Sequence, residues 1–339
     1  MKRRVFLVAL TGLAGCARQR SRLNVFNWSN YVARETVPDF EKEFGVGVRY
    51  GVYESNEEML ARVLTGNSGW DVAFPTHSYV APMRDLGLLA ELDHDRLPNL
   101  DHLAAPFRSP DWDPGLRWSV PYMWGASGIV YNRAVAPPPV AWADLWREDL
   151  AGRLTMLDDP FEVLGACLKK LGFSLNSTDE RELRLAAREA IRQKRLLRAY
   201  LNAEVRDQLV AGDVLAAQLW ATTAQQAIES SPQLAFVHPL EGFGLYMDCA
   251  VILKESRRKP LAHEFLNYLL RPQVAAAIVR ATRTATANDG ALALLDEPLR
   301  QNRTLYPPPE VLARGEWFRP MPAAAQRLRD RLWTEIKAA

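Results

Sequence analysis

Short strands and helices of about ten residues alternate along this chain, and that alternation leaves few folds open. Leu23-Asn-Val-Phe-Asn-Trp28 reads as a strand, Arg34 to Phe44 as a helix ending at Gly45, and Val46-Gly-Val-Arg-Tyr50 as a second strand. Ser55 with Glu58 makes a capping box for a helix that stops near Gly66, and Asp71-Val-Ala-Phe-Pro75 reads as a third strand. Strands that alternate with helices imply a parallel sheet with helices on its faces, so the pattern predicts the α/β class. The 339 residues suffice for two domains of ~100 to 200 residues each. The proline stretches Ala136 to Pro139 and Pro307 to Pro309 read as turns, too short to separate freely moving domains.

The amino-terminal head is a separate unit. Met1-Lys-Arg-Arg is followed by the apolar run Val5 to Leu10 and then by Thr11-Gly-Leu-Ala-Gly-Cys16. A charged start, a short apolar core and small residues describe an export signal, too short for a permanent membrane span. Leu13-Ala-Gly-Cys16 is similar to the bacterial lipobox, in which the cysteine becomes the lipidated first residue of the mature chain. Residues 17 to 22 then form a polar tether. With Cys16 used in this way, Cys167 and Cys249 remain, and their spacing leaves one disulfide and two separate buried thiols equally open.

The head also carries the positive charge. The whole chain has 42 basic and 40 acidic residues, but residues 1 to 22 hold six basic groups and no acid. Residues 23 to 339 therefore carry 36 basic against 40 acidic groups, a net charge of −4. A nucleic-acid or other polyanion partner has no support in such a body.

In open α/β sheets ligands bind beyond the carboxyl ends of the strands. Those ends here are Trp28-Ser-Asn-Tyr31, Pro75-Thr-His-Ser-Tyr79, Asp158-Asp-Pro160 ahead of a helix holding Glu162, Trp220 after Val214 to Leu219, and Tyr246-Met-Asp248. Trp28, Tyr31, Trp220, Tyr246 and Trp124 offer flat π faces; Asp159, Glu162 and Asp248 offer negative charge. An aromatic box with acids at its ends suits an elongated organic cation, with methylenes on the rings and ammonium groups on the carboxylates. Each residue also has a structural reading: Asp159 as an N-cap, Glu162 as a first-turn acid, the tryptophans as packing. His77 reads as a surface-loop histidine. The five histidines lack metal-ligand spacing, and G-x-S-x-G, G-x-x-x-x-G-K-[ST], G-x-G-x-x-G and H-E-x-x-H are all missing, so no metal, cofactor or catalytic residue is expected.

Seven separated motifs carry a family likeness: Phe26-Asn-Trp-Ser-Asn-Tyr31, Tyr53-Glu-Ser-Asn56, Val120-Pro-Tyr-Met-Trp-Gly125, Trp142-Ala-Asp-Leu-Trp146, Tyr246-Met-Asp248, Asn267-Tyr-Leu-Leu-Arg-Pro272, and Thr304-Leu-Tyr-Pro307 with Gly315-Glu-Trp317. In this order they resemble the spermidine/putrescine-binding proteins of ABC importers, from about residue 23 to the carboxyl end. The resemblance implies a type II periplasmic-binding-protein fold, two α/β lobes hinged by crossing strands around a cleft. Lobe 1 would hold residues 23–125 and 247–292, and lobe 2 residues 126–246 and 293–339. The family's ligand-contacting places fall on Trp28, Ser29, Tyr31 and Thr76, on Asp159, Glu162 and Trp220, and on Tyr246 and Asp248. Trp28 and Tyr246 would sandwich the alkyl chain, Asp248 would take the central or secondary amine, and Asp159 with Glu162 a terminal ammonium.

Asn30, Ser78, Thr284 and Phe318 depart from that pattern, standing where spermidine-preferring members carry an acid, two tyrosines and a glutamine. They leave putrescine and spermidine unranked. The implied role is a polyamine-binding protein outside the cytoplasmic membrane, anchored through Cys16 and serving a permease and ATPase pair. Three alternatives stand beside it: another organic cation or amino compound in the same cleft, a thiaminase-like enzyme on the same scaffold with Cys249 as nucleophile, and a receptor-coupled sensor in place of a transporter subunit.

Overall fold

The computed structural model describes residues 21–339. Its strands are β1 (Arg22–Trp28), β2 (Gly47–Tyr53), β3 (Val72–Ala73), β4 (Val120–Asn132), β5 (Leu154–Met156), β6 (Leu197–Tyr200), β7 (Ala216–Trp220), β8 (Leu234–Val237), β9 (Phe243–Ile252), β10 (Ala285–Thr286) and β11 (Gly315–Trp317). They join in the order β2-β1-β3-β9-β4-β7-β5-β6, with β8 and β10 on β4 and β11 on β9. The class is α/β, as the alternation predicts.

The first helices form where their end signals stand. Helix α1 (Thr36–Phe44) stops at Gly45, whose φ of 65° is the left-handed conformation that glycine adopts without strain. Its buried face places Phe40, fully enclosed, against Phe265 and Tyr268. Burial of one such ring stabilises the fold by about 1.5–3 kcal/mol. Helix α2 (Asn56–Leu64) starts from Ser55, whose hydroxyl accepts the Glu58 N–H at 3.1 Å. The return bond from Glu58 goes to the N–H of Glu54 rather than Ser55, so the capping box closes one residue early.

The sheet departs from the parallel expectation. Pairs β1–β2, β1–β3, β5–β6 and β5–β7 are parallel, but β3–β9, β4–β9, β4–β7 and β4–β8 are antiparallel. The cause is the two long strands. Residues 120–126 of β4 pair with 245–250 of β9, and residues 127–131 of β4 then pair with β7. At its far end β9 pairs with β3 through Val251 and Ile252. Local alternation of strand and helix reports βαβ neighbours and carries no trace of strands that cross from one half of the molecule to the other.

Candidate functional site

The strand ends converge where β4 and β9 cross. Asp248 lies on β9 with only 3% of its surface exposed, and both carboxylate oxygens receive a hydroxyl. The Tyr31 phenol donates to Oδ2 at 2.6 Å and the Thr76 hydroxyl to Oδ1 at 2.8 Å. Thr76 precedes helix α3 (His77–Asp85), yet its hydroxyl makes no capping bond because it is directed to Asp248. Asn56 holds Thr76 in place, donating to its Oγ1 and accepting its backbone N–H, each at 3.0 Å. The Tyr122 hydroxyl fixes Tyr31 through its carbonyl at 2.6 Å.

A second acidic pole stands at helix α4 (Pro160–Lys170). Asp159 is its N-cap, with Oδ1 accepting the N–H groups of Phe161 at 2.7 Å and Glu162 at 3.0 Å. Glu162, 6% exposed, receives the Ser127 hydroxyl at 2.6 Å and the Trp220 indole N–H at 2.9 Å, both on Oε1. Asp159 thus satisfies its structural reading and still has Oδ2 clear of the cap.

Tyr246 lies between the two poles. Its ring rests on Gly125, where a Cβ would come within 2.4 Å of the phenol oxygen, so only glycine admits the ring there. Burial first, then the charges of Asp248 and Glu162, hold its phenol well above the usual range. Trp28 turns its indole N–H inward to the Phe74 carbonyl at 2.8 Å and leans on Tyr53 with centroids 4.7 Å apart. Ser29 donates to Glu54 at 3.2 Å.

Burial dominates the acids' electrostatics. It pushes the Asp248 carboxyl up to about 6 against the pull of the Tyr31 and Thr76 hydroxyls. It also raises Asp159 and Glu162, and the Asp159 charge raises Glu162 further. A carboxyl whose folded value exceeds its unfolded value contributes stability below the unfolded value, ~4, and loses it as pH rises through the folded value. Asp248 should therefore erode stability between about pH 4 and 6. Thermal melts without ligand are expected to show the native chain falling relative to Asp248→Asn across that window; a constant difference between the two would refute it.

Two sequence readings change, and one left open is decided. His77 is buried at the start of α3, not in a surface loop. Its Nδ1 accepts the Met247 N–H at 3.2 Å, so Nε2 carries the proton and donates to the Phe318 carbonyl at 2.6 Å. Burial lowers this imidazole to about 4, which keeps it neutral. Trp124 pairs with Met247, one position out of phase with Tyr246 and Asp248, and packs among Phe107, Tyr306 and Trp317 instead of joining the box. Cys167 and Cys249 are both free and buried. Burial, first, and Asp248 hold the Cys249 thiol well above its usual range, the opposite of an activated nucleophile. Cys16 lies outside the described residues. Among the described residues, no group of three or more His, Cys, Asp or Glu side chains is disposed to hold a metal ion.

Asn56, Tyr122, Ser127 and Gly125 support the site, and sequence reasoning assigned them no role in it. Asn56, Tyr122 and Gly125 do lie within motifs that carry the family likeness, which is the available signal. Of the departures, Phe318 covers Gly244, where a Cβ would meet its ring at 2.7 Å, and Thr284 is buried with no partner for its hydroxyl.

Comparison with known proteins gives a consistent setting. The family model described as bacterial extracellular solute-binding protein matches residues 35–305. The spermidine/putrescine-binding periplasmic protein of Escherichia coli strain K12 is 33% identical over 334 residues, covering 98% of this chain and 96% of its own length. A Listeria monocytogenes structure assigned to a spermidine/putrescine ABC transporter superposes with a TM-score of 0.90 at 28% identity, covering 94% of this chain and 99% of that one. A lipoprotein of Treponema pallidum superposes with a TM-score of 0.84 at 29% identity, covering 93% and 99%.

Proposed function

The chain belongs to the bacterial extracellular solute-binding proteins, and we propose that it captures a polyamine, putrescine or spermidine, in the cleft between Asp248 and the Asp159–Glu162 pair and delivers it to an ABC permease and ATPase. One observation carries this reading. Asp248, Asp159 and Glu162 stand beside aromatic faces, and among the described residues no lysine, arginine or histidine forms an ion pair with any of them. Buried carboxylates without cations are costly, and a ligand bearing two or more ammonium groups removes that cost.

In this reading Asp248 accepts one ammonium, held open to it by Tyr31 and Thr76. Glu162 and Asp159 accept another, and Trp28, Tyr246 and Trp220 cover the methylenes between. The lobes would be residues 23–125 with 247–292 and residues 126–246 with 293–339, with the hinge where β4 and β9 exchange partners. Supporting this division, β4 leaves β9 for β7 at residues 126–127. The chain would be held at the membrane through lipidated Cys16, which mass spectrometry of the mature amino terminus tests. The buried, unactivated thiol of Cys249 argues against the enzyme alternative.

A panel of putrescine, cadaverine, spermidine and spermine should raise the melting temperature of the native protein. At a hundredfold excess over Kd the stabilisation is about 2.7 kcal/mol. No shift with any of the four, together with a co-purified ligand of different mass, would transfer the site to another cation.

A further inference from the structure

One edge of β9 is served by two strands and a side chain. Val251 and Ile252 pair with β3, the Leu253 N–H donates to the Asp71 carbonyl and the Cys249 N–H to the Pro75 carbonyl, and Thr76 stands opposite Asp248. From the other end β11 runs alongside residues 243–245, and the Phe318 N–H donates to the Leu245 carbonyl at 3.1 Å. Met247 falls between the two. In an antiparallel ladder its N–H would meet the carbonyl two positions beyond Pro75, that of His77, but the backbone turns there into α3. The His77 imidazole fills the place: Nδ1 accepts the Met247 N–H at 3.2 Å, and Nε2 donates to the Phe318 carbonyl at 2.6 Å. The ring is 1% exposed and lies against Trp112 and Trp317, with centroids 4.6 and 5.6 Å away.

We propose that His77 is a positioning residue of the ligand site: its side chain holds the Met247 peptide, and so fixes the spacing of Tyr246 and Asp248 on either side, at the joint between β3 and β11. The inference rests on the polyamine reading above, in which those two side chains receive the ligand. Residues i and i+2 of a strand share a face, and the sharing holds only while the backbone between them stays extended. A buried N–H left without an acceptor at Met247 costs free energy that a local twist of the segment relieves. The imidazole also follows directly on Thr76, whose hydroxyl bonds Asp248, so the start of α3 grips β9 twice. In the proposed division β3 belongs to lobe 1 and β11 to lobe 2, and this one ring joins them.

Nitrogen-15 NMR of the full chain at neutral pH, with calorimetric titration of putrescine and spermidine into the native protein and three variants, tests this. The native His77 should be the Nε2–H tautomer; a proton on Nδ1 leaves nothing to accept the Met247 N–H and overturns the proposal. His77→Asn places an amide oxygen near the position of Nδ1 and should bind both amines within about threefold of the native affinity. His77→Gln can reach the Phe318 carbonyl but lacks that acceptor, and it should lose about tenfold, as should His77→Phe. Native affinity in the glutamine and phenylalanine variants, whatever their melting temperatures, would reduce His77 to a fold contact and overturn the proposal. Equal losses in the asparagine and glutamine variants would overturn it too, and that comparison decides the matter should His77→Phe fail to fold. A native chain that binds neither amine overturns the polyamine reading itself, an outcome distinct from native binding with unmoved variants.

Discussion

Asp248→Asn is expected to weaken putrescine and spermidine binding by roughly 30- to 4,000-fold while leaving the protein at least as stable as the native chain at pH 7.5. The two effects have one origin. Removing one member of a buried, hydrogen-bonded charge pair costs about 2–5 kcal/mol of binding, which sets the range. Without ligand the same carboxylate is a burden: its value near 6 against about 3.9 unfolded means that its ionised form opposes folding by on the order of 3 kcal/mol above pH 6. Asparagine keeps the shape and can still bond Tyr31 and Thr76. Paired calorimetric titrations and thermal melts read both quantities, and a variant that binds normally, or that loses binding only because it unfolds, contradicts the assignment.

Gly125→Ala should produce the second large loss. Its new Cβ would lie 2.4 Å from the Tyr246 hydroxyl oxygen and 2.6 Å from Cζ, separations that force the ring to move. Because Tyr246 lies between the two acidic poles, its displacement removes the floor on which the methylenes would pack. Binding should fall by at least about tenfold, with a destabilisation of about 1–3 kcal/mol from the overpacked strand pair. Titration of this variant beside Tyr246→Phe separates the causes. The phenylalanine variant keeps the ring and should retain most of the affinity, and equal losses in the two would shift the weight from ring position to the hydroxyl.

Much of the candidate site is legible in the sequence, and the reason is topological. Trp28, Thr76 and Trp220 stand at or just beyond strand ends, and the rule that ligands lie beyond such ends needs only the strands themselves; Asp248 does not, because β9 continues through it to Ile252. Asp159 and Glu162 were legible as a cap and a first-turn acid, and both structural roles hold. What stayed hidden depends on pairing across long stretches of chain. Whether Trp124 faces the acids is decided by its register opposite Met247 on β9, and one step along a strand reverses the face. His77 is buried because Phe318, 241 positions away, supplies the acceptor for its ring proton. Arg329 lies over the Phe161 ring only because the last helix packs against α4, which no local spacing reports.

The parallel expectation for the sheet failed for the same reason. Alternating helices correctly indicate β1 beside β2 and β3, but β4 and β9 belong to no such repeat and cross antiparallel. Those two strands carry Gly125, Ser127, Tyr246 and Asp248, so the part of the fold least visible in local pattern is the part that assembles the site.

A crystal structure of the native protein with putrescine would test the central claim most directly. One ammonium nitrogen should lie within hydrogen-bond distance of Asp248, the other within reach of Glu162 or Asp159, with the methylenes across the Tyr246 ring. Putrescine bound away from these carboxylates, or a cleft that stays without it at saturating concentration, would contradict the account.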